Sequence, residues 1–279
     1  MAAPARWRMR GTRLSARRAA RSPVMTGLAR AGLAARGVIY AIVGWIALQI
    51  AFGSPGHQAD SAGALRLLAN NPVGAVLLWL LAIGFAGLAL WRLSEAIWGA
   101  AGSGGRKAGA RLASLGRAVI YGLLALTIFK YVLGLGAPAS SNSQSKDLTA
   151  TLLHQPGGQV LVAVIGLAVA AAGVALAWQY WQKKFLRQLR LGGVSPAVRR
   201  TVTRLGQIGG VARGAVFAAV GVFLVVAAVN AKPGQARGVD SALRAMAHTP
   251  FGPWLLVLVA AGLIVFGVYS CCEARWRAV

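Results

Sequence analysis

Two sets of polar side chains recur along the chain at positions where they could form ion pairs beside hydrocarbon. One set opens apolar segments and the other closes them. The first set, at the starts of apolar segments, is Arg36, Arg117 and Arg213. The second set, at the ends of apolar segments, is Glu95, Gln179 and Glu273. Ionisable groups near hydrocarbon are expensive to desolvate and find partners, so pairing between the two sets is expected. The pairs could form a polar ring, a gate or a partner surface, or they could only lock helices together.

Three aspartates, Asp60, Asp147 and Asp240, each precede a short apolar stretch that ends at a proline. Aspartate is a favoured N-cap residue, and proline often follows the end of a helix. We therefore predict that each aspartate caps a short helix lying at the membrane interface. The alternative is an acidic vestibule that attracts cations.

Lys130 is a charge inside a predicted membrane segment. It lies in the outer part of its apolar run, and Gln49 and Val226 occupy the corresponding positions in related segments. Its long side chain could reach the interface, as the side chains of lysines near helix ends do. Alternatively, it faces an internal cavity and binds an anion.

Signatures of catalysis and of metal binding are missing from the sequence. There is no HExxH, GxSxG or phosphate-loop motif, and no pair of acids lies in a membrane segment at catalytic spacing. The two cysteines, Cys271 and Cys272, are adjacent and lack the spacing of zinc ligands. The sequence therefore predicts a protein that is not an enzyme and has no metal or cofactor.

The elements that must position these residues are membrane helices. Of 279 residues, 57% are hydrophobic and 13% are charged, whereas about 25% are charged in a typical soluble domain. A membrane helix needs about 20 mainly apolar residues, and six segments reach or approach that length. They are Gly37–Phe52, Val73–Trp91, Ala118–Leu135, Val160–Trp181, Gly214–Val229 and Phe251–Cys271. The predicted fold class is all-α, with six transmembrane helices.

The charge is concentrated on one side of these segments. The chain carries 30 Lys and Arg residues against 5 Asp and Glu, a formal net charge of +25. The N-terminal part, the loops after the second and fourth segments and the C-terminus hold 24 of the 30. By the positive-inside rule this side is cytoplasmic, with both termini, in a bacterial inner membrane. The excess predicts attraction to anionic lipid head groups, and no motif supports nucleic-acid binding.

An internal threefold repeat organises the segments. Leu28–Tyr40 recurs as Leu205–Phe217 and, in a shorter copy, as Leu112–Tyr121. The second helix of each repeat starts at a proline-containing motif, in Asn70–Gly74, His154–Gly158 and His248–Gly252. A basic cytoplasmic tail, residues 1–27, therefore precedes three two-helix repeats at residues 28–108, 109–191 and 192–279. Because each repeat has an even number of spans, the repeats are parallel, which predicts a pseudo-threefold axis along the membrane normal.

The distribution of acids makes particular ion pairs the first hypothesis. Glu95 and Glu273 are the only acids on the side of the chain that carries most of the Lys and Arg residues. We expect Arg36 and Arg213 to hold them, within one hairpin or across a repeat boundary. Gln179 replaces the acid in the second repeat, so the polar site is not expected to be symmetric.

The repeats resemble a known bacterial family. Openings of the Ala-Arg-Gly-x-x-Tyr type and Pro-x-Gly starts to the second helix, in three tandem copies, are similar to the bacterial domain-of-unknown-function family 1206. The resemblance covers Leu28 to Trp276 and implies a polytopic bacterial membrane protein without an established activity. The second repeat departs from the pattern, since Arg117-Ala118 replaces Arg-Gly.

Two functions remain open at this point. The first is a non-enzymatic membrane scaffold or partner-binding protein with a cationic cytoplasmic face. The second is a permease or channel for a small solute or ion, which would use the axis between the repeats. A packed axis of Gly, Ala and Leu favours the scaffold, whereas a wet cavity lined by Gln49, Lys130 or tyrosines favours transport.

Overall fold

The computed structural model describes residues 23–53, 58–70, 74–99, 108–247 and 252–277. Within these ranges the chain forms nine α-helices and no β-strand, which confirms the all-α prediction. The helices are α1 (Pro23–Ala51), α2 (Ser61–Ala69), α3 (Gly74–Trp98), α4 (Ala108–Val132), α5 (Ser141–Leu153), α6 (Gly158–Trp181), α7 (Pro196–Val229), α8 (Val239–Ala247) and α9 (Gly252–Trp276). Two short 3-10 helices cover Lys184–Gln188 and Pro233–Gln235. The basic tail lies outside the described residues as far as residue 22.

Six of these helices, α1, α3, α4, α6, α7 and α9, are long and apolar enough to cross a membrane. The chain is therefore a multi-pass membrane protein, as predicted. Two of these membrane helices are longer than the apolar runs they contain: α1 has 29 residues and α7 has 34. As a result, Arg36 and Arg213 lie within these helices, directly before the apolar runs that begin at Gly37 and Gly214.

The two faces of the helix bundle differ in what covers them. We call the side where α3, α6 and α9 end the terminal face, because the chain leaves α9 there and the segment Lys184–Gln188 lies beside it. We call the opposite side, where α2, α5 and α8 lie, the loop face. Trp276 accepts a hydrogen bond from the backbone N–H of Arg190 at 2.7 Å, which attaches the end of α9 to the segment that follows α6.

The long helices pack in the order α4–α3–α1–α9–α7–α6, and the most extensive contacts join different repeats. At each of these, the second long helix of one repeat lies against the first of another: α3 on α4, α6 on α7, and α9 on α1. Glycines permit this close approach. A Cβ on Gly37 would lie 2.7 Å from the carbonyl oxygen of Gly267, and one on Gly214 would lie 2.7 Å from that of Gly173.

Repeat 2 is open where the other two repeats are closed. In repeats 1 and 3 the two long helices of the hairpin pack against each other, α1 on α3 and α7 on α9. In repeat 2, α4 and α6, both fully described, make at most marginal contact. Only 28% of the α4 span and 17% of the α6 span are buried, against 50% for α3 and α9. We call the space between α4 and α6 the repeat-2 gap.

Three short helices, α2, α5 and α8, lie on the loop face, where short helices are predicted. Asp60 caps α2, and its side chain accepts a hydrogen bond from the N–H of Gly63. Asp147 instead lies inside α5, which Ser140 caps. Asp240 lies in the first turn of α8. The expected cap at each aspartate therefore holds for Asp60 and is corrected for the other two.

Each short helix on the loop face begins at or near an Asp-Ser or Asn-Ser dipeptide. The last acid before the proline does not mark the start in every repeat. The corresponding pairs are Asp60-Ser61, Asn142-Ser143 and Asp240-Ser241, each within the first residues of its helix or directly before it. Asn142 is therefore the repeat-2 counterpart of the two aspartates, a position that counting acids does not find. Pro72 and Pro250, which were expected to follow the ends of α2 and α8, lie outside the described residues.

Candidate functional site: a buried arginine cluster

An ion pair joins the first and third repeats near the terminal face. Arg36 on α1 donates from Nη2 to Oε2 of Glu273 on α9 at 2.5 Å and to the hydroxyl of Ser270 at 3.2 Å. The side chains of Arg36 and Glu273 are only 7% and 5% exposed. The pair crosses a repeat boundary, which is one of the two arrangements that the sequence left open. It forms because α9 packs against α1.

Glu273 also holds the end of the chain. Its Oε1 accepts a hydrogen bond from Nη1 of Arg277, and Arg277 donates from Nη2 to the side-chain oxygen of Gln188 at 2.9 Å. Burial lowers the pKa of Arg277 to about 9, and the positive charge of Arg92 acts in the same direction. One carboxylate thus serves two buried guanidinium groups, which leaves the positive charge only partly balanced.

Glu95 has a different partner from the one expected. Arg92, one turn earlier on α3, donates from Nη1 to Oε2 of Glu95 at 2.6 Å, and the hydroxyl of Ser114 on α4 lies 3.5 Å from the same oxygen. The expected pair with Arg36 is corrected, because α9 and not α3 presents the carboxylate that Arg36 contacts. Arg92 was missed because it lies outside the repeated motif; its i,i+3 spacing from Glu95 was the available signal.

Arg213 contacts aromatic rings in place of a glutamate. Its Nε donates to the hydroxyl of Tyr40 at 2.8 Å, and its guanidinium lies 5.1–5.4 Å from the ring centroids of Tyr40, Phe217 and Phe266. Such cation–π contacts stabilise a desolvated arginine without neutralising it. The expected pair between Arg213 and a glutamate is therefore corrected, and its charge stays uncompensated by these contacts.

The two repeat-2 members of the polar sets lie on the helices that flank the gap. Arg117 on α4 and Gln179 on α6 are both exposed. Arg117 is within electrostatic range of Arg92 and Arg213, so it belongs to the same charged region. In the described part of the chain Gln179 makes no hydrogen bond to the arginines. Arg117 and Gln179 therefore lie on two helices that make at most marginal contact with each other.

We define the arginine cluster as five side chains that lie on α1, α3, α4 and α7 and at the end of α9. Its members are Arg36, Arg92, Arg117, Arg213 and Arg277. Shared rings join four of them in two pairs: Arg36 and Arg213 both contact Phe266, and Arg92 and Arg277 both contact Trp91. Arg117 is within electrostatic range of one member of each pair, Arg213 and Arg92. Two carboxylates, Glu95 and Glu273, face the five guanidinium groups. Within the described residues the cluster therefore has an excess of three positive charges.

Two of the cluster's hydrogen-bond donors have no partner among the described residues. The Nε atoms of Arg36 and Arg92 are buried and make no hydrogen bond. A buried donor without an acceptor is destabilising, and a surplus of buried cations adds to this. The described residues hold no group of three or more His, Cys, Asp or Glu side chains that could bind a metal ion. The excess of guanidinium groups over carboxylates makes the cluster electrostatically attractive to an anion.

Two aspartates join different repeats at the loop face. Asp60, in repeat 1, accepts hydrogen bonds from the backbone N–H and the hydroxyl of Ser141 at 2.7 and 2.9 Å. Asp240, in repeat 3, accepts one from the N–H of Ala59 at 2.8 Å. Both aspartates are buried, with exposures of 2% and 3%. These carboxylates therefore bind backbone donors, in contrast to the open acidic vestibule that was the alternative.

Asn142 makes the corresponding contacts for repeat 2. Its side-chain oxygen accepts hydrogen bonds from the N–H groups of Gly238 and Ser241, and its amide donates to Asp240 at 3.1 Å. The contacts thus run from repeat 1 to repeat 2, from repeat 2 to repeat 3, and from repeat 3 to repeat 1. We call Asp60, Asn142 and Asp240 the loop-face ring. A cycle of this kind fits a threefold arrangement, while the axis itself stays a prediction.

Lys130 lies apart from both polar groups. It is exposed and sits in the last turn of α4, at the loop-face end of that helix. A lysine there can extend its ammonium group to the interface. This position favours the interfacial interpretation over the internal anion site that was the alternative.

Comparison with known proteins agrees with the repeats seen in the chain. The family described as Domain of Unknown Function (DUF1206) matches three times, over residues 31–99, 112–182 and 208–277. The chain is also similar to "Uncharacterized protein YxxB" of Bacillus subtilis (strain 168), with 29% identity over 257 residues that cover 91% of this chain and 92% of that protein. No solved structure matches. Because three tandem matches span most of the chain, it belongs to the DUF1206 family, with its internal repeats.

Proposed function

We propose that this protein is a non-enzymatic scaffold of the bacterial inner membrane that receives a transmembrane helix of a partner protein in the repeat-2 gap. The observation that carries the proposal is that α4 and α6 make at most marginal contact. Both α4 and α6 are poorly buried, so each offers surface on which another membrane helix can pack. Helix association in lipid depends on close packing, which the faces of this gap would allow.

In the two closed repeats, positions that correspond to the gap-lining residues of repeat 2 contact the other helix of their hairpin. In repeat 1, Gly32 of α1 packs directly on Leu88 of α3. In repeat 3, Gly209 of α7 packs on Phe266 of α9, where a Cβ would lie 2.5 Å from the Phe266 Cα. Small residues on the first helix therefore receive the second helix in both repeats.

In repeat 2 the small residue on α4 is kept, but an alanine, Ala172, stands on α6 where the other repeats have Leu88 and Phe266, and the two helices make at most marginal contact. Ala113 and Gly116 on α4 are exposed, and a Cβ on Gly116 would meet nothing within 4 Å. Ala168, Ala172 and Ala175 on α6 are exposed as well. Small residues four apart let helix backbones approach closely. Their presence on both sides of an open gap supports a helix as the occupant.

The charge of the terminal face favours a partner with acidic residues over a second copy of this chain. A groove of about 410 Å³ lies between the start of α7 and the end of α6, and its basic residues are Lys183, Arg199, Arg200 and Arg204. Two copies would bring such surfaces together and repel each other, whereas acidic segments and anionic lipid head groups are attracted. Each basic residue near an anionic surface contributes about 1 kcal/mol.

The scaffold is preferred to the alternative, a permease, because of the packing between the central helices. Tyr40 of α1 and Phe266 of α9 meet edge to face, with ring centroids 4.9 Å apart. The Arg36–Glu273 pair lies on the same two helices. Packed rings and a buried ion pair in this region support a fixed framework.

The orientation can be tested with single cysteines in a Cys271→Ala, Cys272→Ala background. The Lys and Arg distribution predicts that the loop face lies in the periplasm. We expect Lys146→Cys and Lys232→Cys, both at exposed loop-face positions, to react with an impermeant maleimide in intact spheroplasts. Arg200→Cys, at the terminal face, should react only after lysis. The reverse pattern would overturn the orientation.

The partner can be tested by placing a photo-crosslinking amino acid at Ala172 in living cells. We expect a discrete adduct with a membrane protein other than this chain, identified by mass spectrometry. Val268, exposed at the corresponding depth on α9, is the matched control and should give no such adduct. The change Ala168→Leu should reduce the Ala172 adduct at least tenfold, because it fills the gap.

Four outcomes would contradict this proposal. An adduct only with lipid, or equal adducts from Ala172 and Val268, would show that no partner helix enters the gap. An adduct with the same chain would make a second copy the occupant. Rapid disulfide formation between Ala113→Cys and Ala172→Cys would show that α4 and α6 close on each other in the membrane.

A further inference from the structure

We propose that the arginine cluster binds a phosphate group, either of a lipid head group or of inorganic phosphate, at the terminal-face end of the repeat-2 gap. The residues that would contact it are Arg117 and Arg213, and the buried Tyr121 lies within electrostatic range of both. The inference does not rest on the scaffold function, since it uses only the charged end of the gap.

The first argument is the charge of the cluster. Five guanidinium groups face two carboxylates within the described residues, and Arg36, Arg92 and Arg277 are at most 8% exposed. Removing cations from water without counter-charges is strongly unfavourable. A bound anion would supply the missing negative charge at the position where the structure concentrates cations.

The second argument is the supply of hydrogen-bond donors. A guanidinium group has five N–H donors. Among the described residues Arg213 uses one of its five, the Nε, which donates to the Tyr40 hydroxyl. Arg117 makes no hydrogen bond within the described part of the chain, and the Nε atoms of Arg36 and Arg92 are buried without an acceptor. Tyr121 is buried within electrostatic range of Arg36 and Arg213. Donors are thus in excess of acceptors.

The third argument is access. Arg117 is exposed and Arg213 is partly exposed, while the other three members are buried. Arg117 lies on α4, which borders the repeat-2 gap, and Arg213 is within electrostatic range of it, so a ligand that reaches Arg117 sideways from the membrane or from the terminal face also approaches Arg213. The exposed Trp178 and Trp181 near the end of α6 fit an interfacial aromatic belt, which is the level of lipid phosphates.

Phosphate matches these donors better than a carboxylate. Arginine binds phosphate through two parallel N–H···O bonds, and a phosphate has enough oxygens to accept from more than one guanidinium. A single carboxylate would leave part of the excess charge and several donors unused. The geometry therefore favours a phosphate monoester or diester over a simple acid.

The test uses the full-length protein in detergent and compares phosphatidic acid with diacylglycerol, which differ only in the phosphate. Native mass spectrometry should show phosphatidic acid bound at least tenfold more than diacylglycerol. Arg117→Gln should weaken that binding about tenfold, and Arg117→Gln with Arg213→Lys still further. Arg30→Gln is the matched control, since Arg30 is exposed on α1 outside the cluster, and it should change binding less than twofold.

A second arm identifies the source of the phosphate. If inorganic phosphate at millimolar concentration displaces phosphatidic acid and raises the thermal midpoint of the delipidated protein, the site takes free phosphate as well. If it does neither while phosphatidic acid binds, the lipid is the ligand. Equal binding of diacylglycerol, or unchanged binding by Arg117→Gln, would overturn the proposal; Arg117 is exposed, so this variant is expected to fold.

Discussion

Replacing Glu273 with alanine should lower the free energy of unfolding by about 3–5 kcal/mol. Glu273 is buried and contacts both Arg36 of the first repeat and Arg277 at the end of the described chain. Its removal leaves two buried guanidinium groups without their carboxylate, and the desolvation of those charges is then uncompensated. Unfolding of the purified protein in mixed detergent micelles, followed by circular dichroism, measures the loss.

Arg275→Ala is the matched control for this change, because Arg275 lies two residues away on α9 but is exposed. A surface substitution of this kind should alter stability by about 0.5 kcal/mol or less. The double change Arg36→Glu with Glu273→Arg should recover part of the stability that Arg36→Glu alone removes. If Glu273→Ala were as stable as Arg275→Ala, the pair would not hold repeats 1 and 3 together.

The depth of the polar residues was predictable from the sequence, but their pairing was not. Apolar runs and the repeated motif placed Arg36, Glu95 and Glu273 near one end of the spans. Which carboxylate meets Arg36 depends on which helices pack, and both α3 and α9 contact α1. The glycine contact between Gly37 and Gly267 brings α9 close to α1 near Arg36, and this detail of packing selects Glu273.

The sequence carried a signal for the repeat-2 gap on α6 but none on α4. Ala113 on α4 keeps the small side chain of Gly32 and Gly209, which predicts a closed hairpin, whereas Ala172 on α6 stands where the other repeats have Leu88 and Phe266. Closure depends on tertiary constraints, including the outer helix between the two spans. That helix, α5, has 13 residues, whereas α2 and α8 have 9 each. Hydropathy cannot distinguish small residues that face a neighbouring helix from small residues that face a gap.

Asp60→Ala should lower the free energy of unfolding by about 2–4 kcal/mol, the largest effect expected at the loop face. Asp60 accepts hydrogen bonds from the backbone of Gly63 and from the backbone and hydroxyl of Ser141. Each buried donor left without an acceptor destabilises by about 1–3 kcal/mol, and the α2 cap is lost as well. The same detergent unfolding assay measures the change.

Two further variants separate the loop-face ring from a general effect of charge. Asp60→Asn should lose only about 1 kcal/mol, because an asparagine oxygen can still accept one of these bonds, as Asn142 does in repeat 2. Asp147→Ala removes an acid that is exposed inside α5, so it should change stability by about 0.5 kcal/mol or less. If Asp147→Ala were as damaging as Asp60→Ala, the acidic charge of the loop face would matter and the ring would not. If Asp60→Asn were as damaging as Asp60→Ala, the full carboxylate would be required, and Asn142 would not be its functional equivalent.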